Sequence, residues 1–141
     1  MIYGNLLDIS VLEWCKLFGS DDKEKQPMHW KNIAHDPVAF KSALLQKLGI
    51  TDNQWADYWQ EMKKYRDMNV AHYDPIREEI KNFPKLDTAL MSSYFYFSYV
   101  QGELLKFNKK QLPDDIEAYG REFESECRQI AEVALKTTSD F

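Results

Sequence analysis

Residues 51–65 read TDNQWADYWQEMKKY, and this stretch decides the fold. Thr51 and Gln54 have the spacing of a capping box, in which each side chain bonds to the backbone N–H of the other residue at the start of a helix. Apolar and aromatic side chains then recur every three or four positions, as one face of a helix requires: Trp55, Tyr58, Trp59, Met62 and Tyr65. The pattern predicts an amphipathic helix that ends at or near Arg66.

The segments on either side carry further helix signals. Helices are predicted over about 6–18, 37–48, 76–83 and 86–107 and from Pro113 onward, with a polar loop over 21–36. The side chains expected to face inward from the first and last of these helices are Leu6, Ile9, Leu12 and Trp14 or Cys15, and Ile116, Tyr119, Phe123, Cys127, Ile130 and Ala134. Because a two-residue repeat is sustained nowhere, the predicted fold class is all-α, a bundle of four to six helices.

Length and composition predict one domain. The chain has 141 residues, of which 44% are hydrophobic, enough for one core. It shows no repeat, low-complexity tract or linker, so residues 1–141 are expected to form a single helical domain. The net charge of -5 argues against a general nucleic-acid coat or a membrane-surface binder. Any contact with RNA must therefore be local.

The cysteines and the apolar windows predict a cytoplasmic protein. Cys15 and Cys127 form no CxxC motif, which fits a reducing compartment, and both are expected to be buried. The first ten residues lack the basic and apolar regions of a signal peptide. The most apolar window, 89–100, is shorter than the roughly 20 residues that cross a bilayer, so no membrane span is expected.

Arg66, Asp67 and His72 are the candidate catalytic residues. Cleavage of RNA without a metal needs a group that moves protons near neutral pH, the role of histidine, and a fixed cation for the charge that builds on phosphorus. Arginine suits the second role because its planar guanidinium binds two phosphate oxygens at once. In a regular helix Arg66 and His72 would lie about 120° apart, so they converge only if the helix ends between them.

The stretch 65–72, YRDMNVAH, resembles the active-site signature of HEPN domains, in which a polar residue follows the arginine and four to six residues separate arginine and histidine. The wider pattern resembles the abortive infection U-type branch of that superfamily. It consists of Asp8-Ile9, EWCKLFG over 13–19, His29-Trp30 and YRDxxVAHxD over 65–74.

The resemblance implies a helical homodimer in which two Arg66/His72 pairs line one cleft. It further implies an endoribonuclease of the toxin or phage-defence type that leaves a 2′,3′-cyclic phosphate and needs no cofactor. A regulatory or antitoxin partner is also implied. HEPN toxins silenced by a nucleotidyltransferase carry tyrosine two positions after the histidine, whereas Tyr73 follows His72 directly.

Other interpretations of these residues stay open. Asn69, Tyr73 and Lys63 are expected as lesser members of an RNA-binding cleft, but Arg66 and Asp67 are also a common way to finish a helix. A metal site built from His29, His35 and Asp36 with His72 lacks the usual paired spacing, so no metal is expected. The aromatic residues fit a core or dimer interface better than base stacking. The alternative function is a non-catalytic helical dimer that binds a protein partner or RNA; a regulatory partner of a neighbouring toxin is a third.

Overall fold

The computed structural model describes residues 2–20, 26–70, 83–107 and 113–138. Within these ranges the chain is all-helical, which confirms the predicted fold class. The elements are α1 (Ile2–Phe18), α2 (Trp30–Ile33), α3 (Pro37–Leu48), α4 (Asp52–Tyr65), a π-helix called here the π segment (Arg66–Val70), α5 (Asp87–Leu105) and α6 (Ile116–Thr138). The helix predicted over 76–83 lies outside the described residues except for Phe83.

The ends of α3 and α4 follow from the sequence. The Asp36 carboxylate accepts the backbone N–H groups of Val38 and Ala39, both at 3.0 Å, and so caps the start of α3. Gly49 ends α3 with a φ of 66°, a left-handed conformation that glycine adopts without strain. The capping box predicted for α4 is present. These two helices therefore begin and end where their caps predict.

The predicted loop over 21–36 contains a short helix, α2. His29 caps it, because its Nδ1 accepts the backbone N–H of Lys31 at 3.3 Å. Histidine is a rare cap, and a single four-residue turn leaves no repeat for periodicity to detect. The loop prediction was wrong at these positions for that reason.

The chain divides into two compact units, Met1–Tyr96 and Phe97–Phe141. Aromatic side chains fill the core of the first unit: Phe18 packs against Trp14 at 5.5 Å and against Trp55 at 5.6 Å between ring centroids. Buried hydrogen bonds complete this core, since the Trp14 indole donates to the Ser92 hydroxyl at 2.9 Å. The single domain predicted for residues 1–141 stays a prediction.

The buried face of α1 differs from the prediction. Leu6, Ile9 and Leu12 are exposed, and the helix instead buries a face with the same three-and-four spacing: Val11, Trp14, Cys15 and Phe18. That face carries the two large aromatic rings, which remove more apolar area from water than the leucines would. Both Trp14 and Cys15 lie inward, where the sequence offered them as alternatives.

The second unit contains the end of α5 and the whole of α6. The Gln101 side-chain amide donates to the Pro113 carbonyl at 2.9 Å. Residues 121–136 of α6 are exposed throughout, so the expectation that Phe123, Cys127 and Ile130 face inward was wrong. The repeat that predicted a buried face is real, but nothing among the described residues covers it. In the described part of the chain, no helix combines the length and apolar character needed to cross a membrane.

Candidate functional site

The site begins where α4 changes its geometry. The α-helix ends at Tyr65, as predicted, and the backbone continues through the five residues of the π segment. A π-helix has bonds from residue i to i+5, and single π turns are frequent at functional sites. The helical path therefore continues to Val70, so the helix end that the convergence of Arg66 and His72 requires does not lie within residues 66–70.

Arg66 and Asp67 form a fixed ion pair at the start of the π segment. The Arg66 Nε and Nη2 groups both donate to Asp67 Oδ1, at 2.9 and 2.7 Å. The Arg66 side chain is 21% exposed and that of Asp67 48% exposed. A guanidinium bound on one edge by a neighbouring carboxylate has a defined orientation. This pair therefore offers an oriented cation at a partly open surface.

Cys15 of α1 lies against this pair. Burial raises the pKa of the Cys15 thiol, while the charge of Arg66 and its hydrogen bond to the thiol act in the opposite direction. Cys15 is therefore a buried, neutral thiol at neutral pH that is hydrogen-bonded to Arg66. Its burial confirms the expectation for Cys15, whereas Cys127 is exposed and that expectation was wrong. Sequence spacing offers no signal for the contact, since 15 and 66 are far apart along the chain.

A second contact joins α1 to the end of α4. The Tyr65 hydroxyl donates to the Asp8 carboxylate at 2.8 Å, one residue before Arg66. The backbone of α1 also contacts both α4 and the π segment. The start of the π segment is thus held by an adjacent helix, which limits the positions available to Arg66.

Only part of the predicted site belongs to the described structure. Arg66, Asp67 and Lys63 are described, and Arg66 and Asp67 are in direct contact. His72 and Tyr73 lie outside the described residues, as does the side chain of Asn69. The predicted meeting of Arg66 with His72 stays a prediction.

Lys63 lies one helical turn before Arg66 and lines a nearby cleft. Its Nζ is 4.9 Å from the centre of the Trp59 ring, a cation–π distance. The cleft has a volume of about 440 Å³. Six of its lining residues define what is called here the tryptophan–lysine cleft: Trp30, Trp55, Trp59, Lys31, Lys41 and Lys63. All six belong to the first unit.

The residues considered for a metal site have other partners. The His29 ring is buried, with Nδ1 at the start of α2 and Nε2 3.2 Å from the Gly19 carbonyl. Asp36 caps α3, and His35 is exposed. Among the described residues, no group of three His, Cys, Asp or Glu side chains is arranged to hold a metal ion.

The chain matches no family model, no curated protein and no solved structure.

Proposed function

We propose that this protein is a homodimeric, metal-independent HEPN-type endoribonuclease. The observation that carries the proposal is the Arg66–Asp67 pair, a partly exposed and oriented cation six positions before His72. The resemblance of residues 65–72 to the HEPN signature supports the same function. The biological class proposed with it is a toxin or phage-defence effector, with a regulatory or antitoxin partner.

The reaction uses the 2′-hydroxyl of the RNA as nucleophile. His72 removes the proton of this hydroxyl, the 2′-oxygen attacks phosphorus, and the bond from phosphorus to the 5′-oxygen breaks. A protonated histidine, from the same or the second copy, returns a proton to the departing 5′-oxygen. Arg66 stabilises the charge on the pentacoordinate phosphorus, and the products are a 2′,3′-cyclic phosphate and a free 5′-hydroxyl.

Asp67 acts as a positioning residue in this scheme. Its carboxylate accepts a hydrogen bond from the Nε group of Arg66. Because Asp67 belongs to the π segment, this bond fixes the orientation of the guanidinium. Asn69 and Tyr73 are proposed as lesser polar members of the cleft, and Lys63 as a cation for the RNA backbone. The acidic chain as a whole would repel RNA, so binding depends on these local cations.

The second copy is proposed to bind along α6. The exposed apolar side chains of this helix include Tyr119, Phe123, Ile130 and Val133. Charge is unequal along it: residues 116–126 include four acids and one arginine, whereas residues 128–138 include two basic residues and one acid. In an antiparallel pair of α6 helices, the acidic half of each faces the more basic half of the other. This complementarity favours a second copy over a different partner.

The test is cleavage of a single-stranded RNA by the purified protein in excess EDTA. Wild-type protein is expected to cleave and to leave cyclic phosphate ends. His72→Ala and Arg66→Ala are expected to lose at least about 100-fold in rate, the usual contribution of such groups. His35→Ala is the matched control, because His35 is exposed and lies outside the proposed site. Loss of all cleavage with EDTA, or full activity in His72→Ala, would falsify the mechanism.

The competing function is a non-catalytic helical dimer that binds a protein partner or RNA. The same ion pair favours it, because Asp67 offsets much of the Arg66 charge. A crystal structure of the dimer separates the two functions. The ribonuclease requires Arg66 and His72 of both copies in one solvent-open cleft, whereas separated or buried pairs support the binding protein.

A further inference from the structure

We infer that the tryptophan–lysine cleft binds a nucleotide of single-stranded RNA beside the cleavage site. The choice of RNA as the ligand rests on the proposed function. The cleft itself is defined by the described side chains and needs no assumption about His72. The inference adds a substrate-binding site to the proposed catalytic residues.

The cleft offers a rigid aromatic surface. The Trp59 indole N–H donates to the Phe18 carbonyl at 2.7 Å and lies 3.3 Å from the Gly19 carbonyl, which fixes the plane of its ring. These two carbonyls belong to the last residue of α1 and to the residue after it, where no further helical N–H is available to them. Trp59 keeps part of its surface exposed, while Trp30 and Trp55 are nearly buried and form the walls. Such a fixed, partly open ring suits stacking by a base.

The charge of the cleft is complementary to an RNA backbone. Three lysines line it, and the described residues that line it include no acid. Lys63 lies over Trp59, and the Nζ of Lys31 is 5.9 Å from the centre of the Trp30 ring. Lys41 is paired with Asp52. In a chain of net charge -5, this local excess of cations beside indoles fits a ligand that is both anionic and aromatic.

The cleft lies on the same face of α4 as the catalytic arginine. Trp59, Lys63 and Arg66 are spaced by four and three residues, so they form one row along the helix. The rise from Trp59 to Arg66 is about 10 Å at 1.5 Å per residue. A single strand with one base on Trp59 can therefore pass Lys63 and present a phosphate to Arg66 a short distance further along.

The row predicts a preference for single-stranded RNA. Bases in a duplex are stacked on each other and cannot lie on a protein ring, whereas those of a single strand are free to do so. The phosphate contacts of lysines carry no base specificity, so the cleft is expected to accept more than one base.

The test is binding of a 2′-O-methyl oligoribonucleotide of about eight nucleotides, within the usual site size of a single-strand binder. The blocked 2′-oxygen prevents cleavage, so affinity is measured by calorimetry without turnover. Lys31→Ala/Lys63→Ala removes two cations from the cleft, and Lys64→Ala/Lys47→Ala removes two exposed lysines elsewhere on the same unit. Circular dichroism checks that both double variants are folded.

We expect the cleft variant to raise Kd about tenfold. The slope of log affinity against log salt should fall by about 1.4, because each lysine that binds a phosphate of a single strand contributes about 0.7 to it. The control variant is expected to keep Kd within about twofold. Trp59→Leu should also raise Kd about tenfold through weaker stacking, with little change in the salt slope. Equal Kd values for the cleft and control variants, no binding at all, or equal affinity for duplex RNA would overturn the inference.

The inference and the proposed function fail differently. If the cleft variants cleave RNA like the wild type at low substrate concentration, the cleft is not a substrate site and the ribonuclease stands. If the wild type binds through the cleft but does not cleave unmodified RNA, the binding site stands and the proposed ribonuclease is wrong.

Discussion

At the scale of single residues, the neighbourhood of Arg66 combines an ion pair with a buried thiol. Asp67 accepts two hydrogen bonds from the guanidinium, and the buried thiol of Cys15 in α1 is a further hydrogen-bond partner of it. Removing Asp67 therefore changes the orientation of Arg66, whereas removing Cys15 takes away a buried partner. Under the proposed function, the substitution of Asp67 is expected to lower the rate of RNA cleavage. The substitution of Cys15 is expected to lower the free energy of unfolding.

The Cys15 thiol predicts a pH dependence of stability. Its pKa is raised by burial above the ordinary value of 9.0 in the folded state, so the unfolded chain loses the proton first as pH rises. The stabilisation is complete below about pH 9 and is lost above it, with a slope of at most about 1.4 kcal/mol per pH unit. Cys15→Ala should therefore show a smaller decline in unfolding free energy between about pH 8.5 and 10.

Urea denaturation at intervals across this range measures the slope. Tyr58 and Tyr96 have hydroxyl pKa values that burial raises from 10.0, and their effect begins at higher pH in both proteins alike. Curves that stay parallel for wild type and Cys15→Ala would show that the thiol does not titrate differently in the two states.

Residue types and local spacing were enough to predict that Arg66 and Asp67 form a pair at the end of a helix. The contact with Cys15 and the bond from Tyr65 to Asp8 needed the fold, since each joins two distant helices. The same holds for the tryptophan–lysine cleft. Sequence reasoning assigned the indoles of Trp55 and Trp59 to a core or dimer interface; Trp55 is buried, whereas Trp59 is only half-buried.

At the scale of elements, the first unit depends on a buried bond between α1 and α5. Ser92 accepts the Trp14 indole N–H and donates to the Ala89 carbonyl, and its side chain is fully buried. Ser92→Ala leaves the indole N–H without this acceptor, which is expected to lower the unfolding free energy by about 1–3 kcal/mol. Thermal or urea unfolding measures the loss.

Ser93 supplies the matched control. It lies on the same helix, its hydroxyl bonds only to the carbonyl one turn earlier among the contacts described, and its replacement by alanine should change stability by less than about 0.5 kcal/mol. Equal values for Ser92→Ala and Ser93→Ala would mean that water or another acceptor replaces the missing partner of Trp14.

Element boundaries were predictable where a cap defines them and not elsewhere. The side chains of Asp36 and Thr51 cap the first turn of a helix, and Gly49 adopts the left-handed conformation that ends one. The π segment has no such signal, because no residue type requires the wider turn. The prediction of the inward face of α1 was wrong because leucine and tryptophan fit the same repeat. Only the packing of the fold determines which of the two faces is buried.

At the scale of the whole molecule, the proposed antiparallel pair of α6 helices predicts a specific contact between the two copies. Cys127 is the central residue of this 23-residue helix and is exposed. In an antiparallel two-fold pair the symmetry axis passes the middle of the helix, so Cys127 faces its own copy. Mild oxidation is expected to give a disulfide-linked dimer on a non-reducing gel.

Two variants check this contact. Cys127→Ser should abolish the linked dimer, and Ile130→Glu should prevent it by placing a charge on the apolar stripe. Light scattering then measures the mass of the reduced protein. A monomer at all concentrations, or linkage unchanged in Ile130→Glu, would exclude the α6 pair as the dimer contact.

All four tryptophans belong to the unit Met1–Tyr96, and the unit Phe97–Phe141 has none. Intrinsic tryptophan emission therefore observes one part of the chain, whereas far-ultraviolet circular dichroism observes the helices of both. If the units unfold as one, the two signals change at the same denaturant concentration. If they unfold separately, the emission and dichroism transitions have different midpoint denaturant concentrations. An optical experiment on the unmodified protein therefore shows whether it has one cooperative unit or two.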